Sequence, residues 1–330
     1  MIGVSRRTVL GGLAALSAPR IARARDPFRI FQITYRGETD VERGFRDYLE
    51  QRGIDVEITH RSAELDPSRV PDILKEVREA KPDLVYTWGT PVTLATFGKD
   101  DDPDPARYIT DIPGVFTMVS TPVKAGVVPS RASSGRNITG TSHVVPAAPQ
   151  LRAMDAYRPF KRLGVLYTPT EQNSNAIVAD LRSIEGEMGF TLLERTFALG
   201  ADGKPDASTA PALVAELAAE GAEWLYYLPD TFLSQNIEQV APAATALGLP
   251  GFSAVELLQR SALISLVCRY YSLGQLTAYK AEQILVTGTA PAEIPIETLE
   301  RFALIINMPL AREMELYPPL GMLSYANVLT

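Results

Sequence analysis

One cysteine, Cys268, and two histidines, His60 and His143, occur in 330 residues. A lone cysteine excludes an intramolecular disulfide and a cysteine-built zinc site, and two imidazoles are too few for a histidine-rich metal site. Neither a phosphate-cradling P-loop, nor G-x-G-x-x-G, nor a G-x-S-x-G elbow occurs, so no pattern points to a cofactor or to a serine nucleophile. Basic residues are not in excess: 32 Lys and Arg stand against 39 Asp and Glu, a net charge of -7, and the basic face of a nucleic-acid binder is absent. No apolar run approaches the roughly 20 residues that span a bilayer. The remaining composition, 46% hydrophobic and 22% charged, is that of a globular chain long enough for one large domain or two ordinary ones.

The first 24 residues read as an address. Ser5-Arg6-Arg7-Thr8-Val9-Leu10 is close to a twin-arginine signature, a short apolar stretch runs from Gly11 to Leu16, and Ala22-Arg23-Ala24 ends in an A-x-A pattern. Cleavage after Ala24 is expected, with a periplasmic mature protein. No cysteine follows to take a lipid, so that protein should be free rather than anchored.

Beyond the address, strand and helix alternate. Phe28–Ile33, Val56–Thr59, Leu84–Trp88 and Val115–Val119 read as strands, and apolar stripes at Val41/Phe45/Tyr48/Leu49 and Val70/Ile73/Leu74/Val77 read as helices between them. The pattern restarts at Leu163–Tyr167. A helix follows over Ile177–Met188, then Leu192–Glu194, a helix around Leu213–Leu217, and strands Trp224–Leu228 and Leu263–Val267. Residues from Gln275 onward add one helix and the strand Ala303–Ile306, too little for a third domain. The expected fold is α/β, with two lobes, each a parallel sheet flanked by helices. The first covers 25–145, completed by parts of 255–300. The second covers 146–254, completed by parts of 300–330. The seam falls near 143–160.

In open parallel sheets ligands bind beyond the carboxyl ends of the strands. The junctions there are polar: Tyr35-Arg36-Gly37, Thr90-Pro91-Val92-Thr93, Thr121-Pro122, Glu171-Gln172-Asn173-Ser174 and Pro229-Asp230. A threonine before proline serves equally as a helix cap or as a ligand contact. Arg36 can fork a carboxylate or sit solvated in a loop. Glu171 and Asp230 can hold an ammonium or serve the first turn of a helix. Cys268 and His143 offer the residue types of a nucleophile and its base, but Cys268 ends an apolar strand and reads as packed core, and His143 reads as a hinge or rim residue. Tyr226, Tyr227, Tyr270 and Tyr271 read as core or edge aromatics, any of which could stack on a ligand ring.

Several segments resemble the ABC-transporter substrate-binding proteins of the family that includes tryptophan- and other aromatic amino-acid-binding receptors. They are Gly135-Arg136-Asn137-Ile138-Thr139-Gly140-Thr141-Ser142, Gly164-Val165-Leu166-Tyr167 leading to Glu171-Gln172-Asn173-Ser174, Leu228-Pro229-Asp230, Tyr271-Ser272-Leu273-Gly274-Gln275 and the Ile294-Pro295-Ile296 run. Their order along the chain matches the family's. Where the family often has His-Pro after the first strand, this chain has Tyr35-Arg36-Gly37. The resemblance implies a periplasmic-binding-protein type I fold with hinge crossovers and capture of a small solute for the transmembrane subunits of an ABC permease. It also implies that Thr90, Thr121, Thr141, Glu171, Asn173, Ser174 and Asp230 touch that solute; Tyr35, Arg36 and Thr93 join them by position. The expected solute is an amino acid or related small carboxylate, and the chain is expected to be monomeric and not an enzyme. An exported enzyme using the same cleft, or a receptor signalling to a membrane sensor, is the alternative.

Overall fold

The computed structural model describes residues 26–330, so the expected export signal and its cleavage point lie outside the described residues. The first lobe opens with β1 (Phe28–Thr34), α1 (Asp40–Gln51), β2 (Val56–Ser62), α2 (Val70–Ala80) and β3 (Leu84–Trp88). It continues through α3 (Thr90–Phe97), β4 (Gly114–Thr117) and β5 (Ile138–Gly140). The second contains α4 (Ala147–Tyr157), β6 (Arg162–Tyr167), α5 (Gln172–Ser183), α6 (Glu185–Met188), β7 (Thr191–Thr196) and α7 (Ala210–Ala219). Then come β8 (Trp224–Tyr227), α8 (Thr231–Gln235), α9 (Ile237–Ala246), β9 (Gly251–Ser253) and β10 (Ile264–Val267). Helix α10 (Tyr270–Leu285) returns to the first lobe, and β11 (Ala303–Asn307), α11 (Met308–Glu313) and β12 (Asn327–Leu329) go back to the second.

The first sheet runs β2-β1-β3-β4-β5, parallel throughout. The second runs β12-β11-β10-β9-β8-β6-β7. It is mixed rather than purely parallel, because β11 pairs antiparallel with β10. The cause is the chain's excursion. It leaves β10 at the interlobe end, forms α10 in the first lobe, and re-enters the second sheet from that same end, so β11 must run the opposite way.

Local sequence explains the elements that frame the cleft. Every residue of β3 and β8 is buried, as a covered parallel strand requires. At the start of α1, Thr39 Oγ1 accepts from the Val41 N–H while Glu42 Oε2 accepts from the Thr39 N–H at 2.7 Å, a reciprocal cap. Glu42 then disappears into the core, where its Oε1 accepts from the Tyr86 hydroxyl at 2.5 Å. Helices α1 and α10 touch backbone to backbone. A Cβ on Gly274 would lie 1.9 Å from the Val41 carbonyl oxygen and one on Gly44 2.0 Å from that of Tyr271, so only glycine fits at either place.

Two expected elements differ. The helix expected over 177–188 breaks at Ile184, whose ψ of 3° interrupts α5 before the short α6. Strand β4 stops at Thr117 instead of Val119 because Met118 adopts φ 56°, a left-handed conformation no strand accommodates. The chain passes between lobes near 141–146, 268–269 and 298–302. These crossovers are stitched together: the Ser142 N–H donates to the Glu297 carbonyl at 2.8 Å, and Cys268 Sγ lies 3.4 Å from Thr298 Oγ1. Lys280, fully buried on α10, donates to the Pro295 carbonyl (2.6 Å) and to Glu297 Oε2 (2.5 Å).

Candidate functional site

Loops at the carboxyl ends of both sheets face each other across a cleft, where ligands bind in open parallel sheets. Strand order lays out the first-lobe wall. Tyr35 and Arg36 follow β1, Trp88 ends β3 and Gly89 to Pro91 follow it, Met118 and Ser120 follow β4, and His143 follows β5. Opposite them stand Asn173 at the start of α5, Asp230 and Ser234 after β8, and Val255 and Leu257 after β9. Tyr270 closes the hinge side from the second crossover.

The first-lobe wall is rich in unused donors. The Arg36 guanidinium lies 5.3 Å from the Trp88 ring centroid and 5.9 Å from that of Tyr35, and no carboxylate pairs with it among the described residues. Its Nε and the Trp88 Nε1 are both buried without a hydrogen-bond partner. Tyr35 is not free, since its hydroxyl donates to the Leu65 carbonyl at 2.8 Å. Between them begins α3. Its N-cap is Gly89, at φ 88°, so no side chain caps the first turn, and Pro91 brings no N–H to it. Such a turn favours an anion through its remaining N–H groups and the helix dipole.

The second-lobe wall is built from carboxylates already in use. Asp230 Oδ1 accepts from the Leu233 N–H (2.7 Å) and Thr168 Oγ1 (3.0 Å). Its Oδ2 accepts from the Thr168 N–H (2.7 Å) and Ser174 Oγ (2.8 Å). All four lone-pair positions are filled. Glu171 Oε2 accepts from the Thr231 N–H (2.9 Å) and from Asn173 Nδ2 (3.3 Å), and Oε1 accepts only from the Phe232 N–H (3.0 Å). Burial, then the neighbouring charge of Asp230, pushes the Glu171 carboxyl up to about 7. Burial raises Asp230 as well, against the hydrogen bonds that favour its charged form.

The structure brings Tyr35, Arg36, Thr90, Asn173 and Asp230 to the cavity. Ser174 stands behind that wall as a donor to Asp230. Glu171 stands beside it, tying α8 in place. Thr93 is fully buried, its Oγ1 donating to the Gly89 carbonyl at 2.8 Å and meeting Thr87 Oγ1 at 2.9 Å, so it shapes the turn from inside. Thr141 lies in a buried hydroxyl cluster with Thr117 (3.1 Å) and Thr277 (2.8 Å). Thr121 lines a different cavity with Arg131 and Ile177, its Oγ1 buried and unpaired. Cys268 is buried, as its apolar strand suggested. His143, expected as a hinge or rim residue, lies in the first crossover, is 5% exposed and lines the cavity itself. Trp88, Met118, Val255 and Leu257 also line the cavity and are not among the expected site residues. Trp88 could have been found as the last residue of a buried strand; Val255 and Leu257 carry no local signal.

Two α/β lobes joined by three crossovers, with a polar cavity between their strand ends, define a two-lobed ligand-binding protein. A family model described as ABC transporter substrate binding protein matches residues 32–328, and the chain belongs to that family, whose members are binding proteins and not enzymes. A tyrosine-binding protein of Clostridioides difficile (strain R20291) is 26% identical over 275 residues, 81% of this chain and 74% of its own length. A conserved domain protein from Vibrio cholerae O1 biovar El Tor superposes with a TM-score of 0.78 at 23% identity, over 92% of this chain and 99% of that one. An ABC domain from Streptococcus pneumoniae in complex with L-Trp superposes with a TM-score of 0.77 at 22% identity, over 92% and 100%. The two structures show the type I periplasmic-binding-protein fold. No helix among the described residues is long and apolar enough to cross a membrane.

Proposed function

We propose that this chain is the extracytoplasmic solute receptor of an ABC importer, and that its solute is a small carboxylate of the amino-acid class held between the two lobes. The observation that carries this is the guanidinium of Arg36, facing the cavity over Trp88 with no protein carboxylate to neutralise it. A ligand carboxylate would take Arg36 and the uncapped turn at Thr90. An amine would find its partner in Glu171, whose Oε1 keeps a free lone pair; Asp230 holds the wall in place. Trp88, Tyr270 and Leu257 offer an apolar middle suited to an aromatic side chain, in keeping with the tyrosine-binding and L-Trp-bound relatives.

Because the ligand contacts both lobes, it favours the closed arrangement over the open one, which is the only way binding can drive closure. The twin-arginine-like segment would export the chain, cleavage after Ala24 would free it in the periplasm, and the closed monomer would deliver its solute to the permease transmembrane subunits. A thermal-shift screen of amino acids, aromatic acids and small peptides tests the solute class. At a hundredfold excess over Kd, a ligand of the native state stabilises by about 2.7 kcal/mol. A shift with an amino acid, lost in its decarboxylated analogue, is the expected result; no shift across the panel removes the assignment.

A further inference from the structure

The order of strands turns the first-lobe wall into a ruler. Arg36 follows β1 and His143 follows β5, with β3 and β4 between them. Three strand spacings separate the two, about 14 Å. A solute anchored by its anion at Arg36 therefore reaches His143 only with its far end, after passing Trp88 and Met118.

His143 is built to meet something there. It is 5% exposed, lines the cavity, and its Nδ1 has no hydrogen-bond partner. Its neighbour Ser142 is occupied, donating from Oγ to the Ser120 carbonyl at 2.9 Å. A buried ring nitrogen left unpaired is costly unless a ligand completes it. Burial pushes the imidazole down to about 3, so it stands neutral at physiological pH. A neutral imidazole cannot balance a second carboxylate, but it can exchange a hydrogen bond with an uncharged hydroxyl.

We propose that His143 is a specificity-determining contact that reads an uncharged hydroxyl at the end of the solute remote from its carboxylate, selecting a phenol over a plain phenyl ring. This rests on the proposal that a carboxylate binds at Arg36. The contact also reaches the hinge, since Ser142 donates to the Glu297 carbonyl that ties the first crossover to the third.

Two matched pairs test it on the purified protein by calorimetry: L-tyrosine against L-phenylalanine, and 4-hydroxyphenylacetate against phenylacetate. Within a pair that binds, the hydroxylated member should bind about tenfold to a hundredfold more tightly, the range set by leaving a buried polar group unpaired. His143→Phe should bring that ratio close to one while His143→Gln keeps part of it. As a readout that needs no folded variant at 143, the ¹⁵N spectrum of histidine-labelled protein has two imidazoles to assign, and His60→Asn removes one. The His143 Nδ1 signal should move with the hydroxylated member and stay with the plain one. Equal affinities within the pairs, an unchanged ratio in a folded His143→Phe, or a stationary Nδ1 signal would overturn the role of His143 and leave the carboxylate reading intact. Binding of none of the four compounds would overturn both.

Discussion

The two walls of the cleft handle polarity in opposite ways. The first-lobe wall leaves Arg36 Nε, Trp88 Nε1 and His143 Nδ1 unpaired and starts α3 without a side-chain cap. The second-lobe wall satisfies Asp230 four times over and Glu171 three times, with Asp230 capping α8 and Glu171 bound to its amides. Buried polar groups without partners are uncommon in native structures. Three of them on one side of a cavity support the proposal that a ligand binds against that wall. Asp230, which sequence reading offers as a ligand contact, is on the other side part of the masonry, while Glu171 keeps one lone pair free.

Breaking the second wall should therefore cost stability, and breaking the first should cost affinity. The largest effect expected is from Asp230→Ala, which strands the N–H groups of Thr168 and Leu233 and two hydroxyls. Urea unfolding should show a loss of about 3–5 kcal/mol. A loss below about 1 kcal/mol would mean that Asp230 is not structural.

Glu171 sharpens the contrast through pH. Its carboxyl sits at about 7 in the fold, above the ordinary 4.5, so the native state holds a proton that the unfolded chain has released. Between these values stability falls as pH rises, by an amount on the order of 1–3 kcal/mol. Glu171→Gln should flatten that part of the melting-temperature profile; identical profiles for the two proteins would reject the shift. An amine-bearing solute favours the charged form, so its affinity should climb as pH rises through 7 and level off above.

The smallest effect concerns the pair Lys124–Asp180, which bridges a first-lobe loop to α5 of the second lobe, with both side chains nearly half exposed. Lys124→Ala should weaken solute binding by less than about 1 kcal/mol at low salt, and the difference should fade in 1 M salt. A large, salt-independent loss would show that the pair does more than favour closure.

Much of the fold was legible because its central strands are continuous apolar runs: Leu84–Trp88 and Trp224–Leu228 are read directly from β-branched, leucine and aromatic residues between breakers. Elements that escaped are those with weak or contrary signals. Strands β5, β9 and β12 have three residues each, α9 carries Pro242 inside it, and α4 begins among Pro146 and Pro149. Strand-to-helix junctions bring Arg36, Thr90 and Asp230 to the cleft, since topology alone delivers strand ends there. They could not separate Asp230, whose lone pairs are filled, from Arg36, whose donors are free, because that depends on partners such as Thr168 and Ser174, 62 and 56 residues away. His143 was legible only as a residue near the seam; its burial is a consequence of how the first crossover threads between the lobes.

The carboxylate site at Arg36 is tested by a calorimetric titration of L-tyrosine into the wild-type protein and into Arg36→Gln. The variant should unfold within about 1 kcal/mol of the wild type, because Arg36 has no ion-pair partner in the protein and loses only its place over the Trp88 and Tyr35 rings. Affinity should fall tenfold or more, about 1.4 kcal/mol, because a charge-assisted contact to the ligand carboxylate is gone. Equal affinity in the two proteins, with both folded, would contradict the claim that the first-lobe wall holds the solute by its carboxylate.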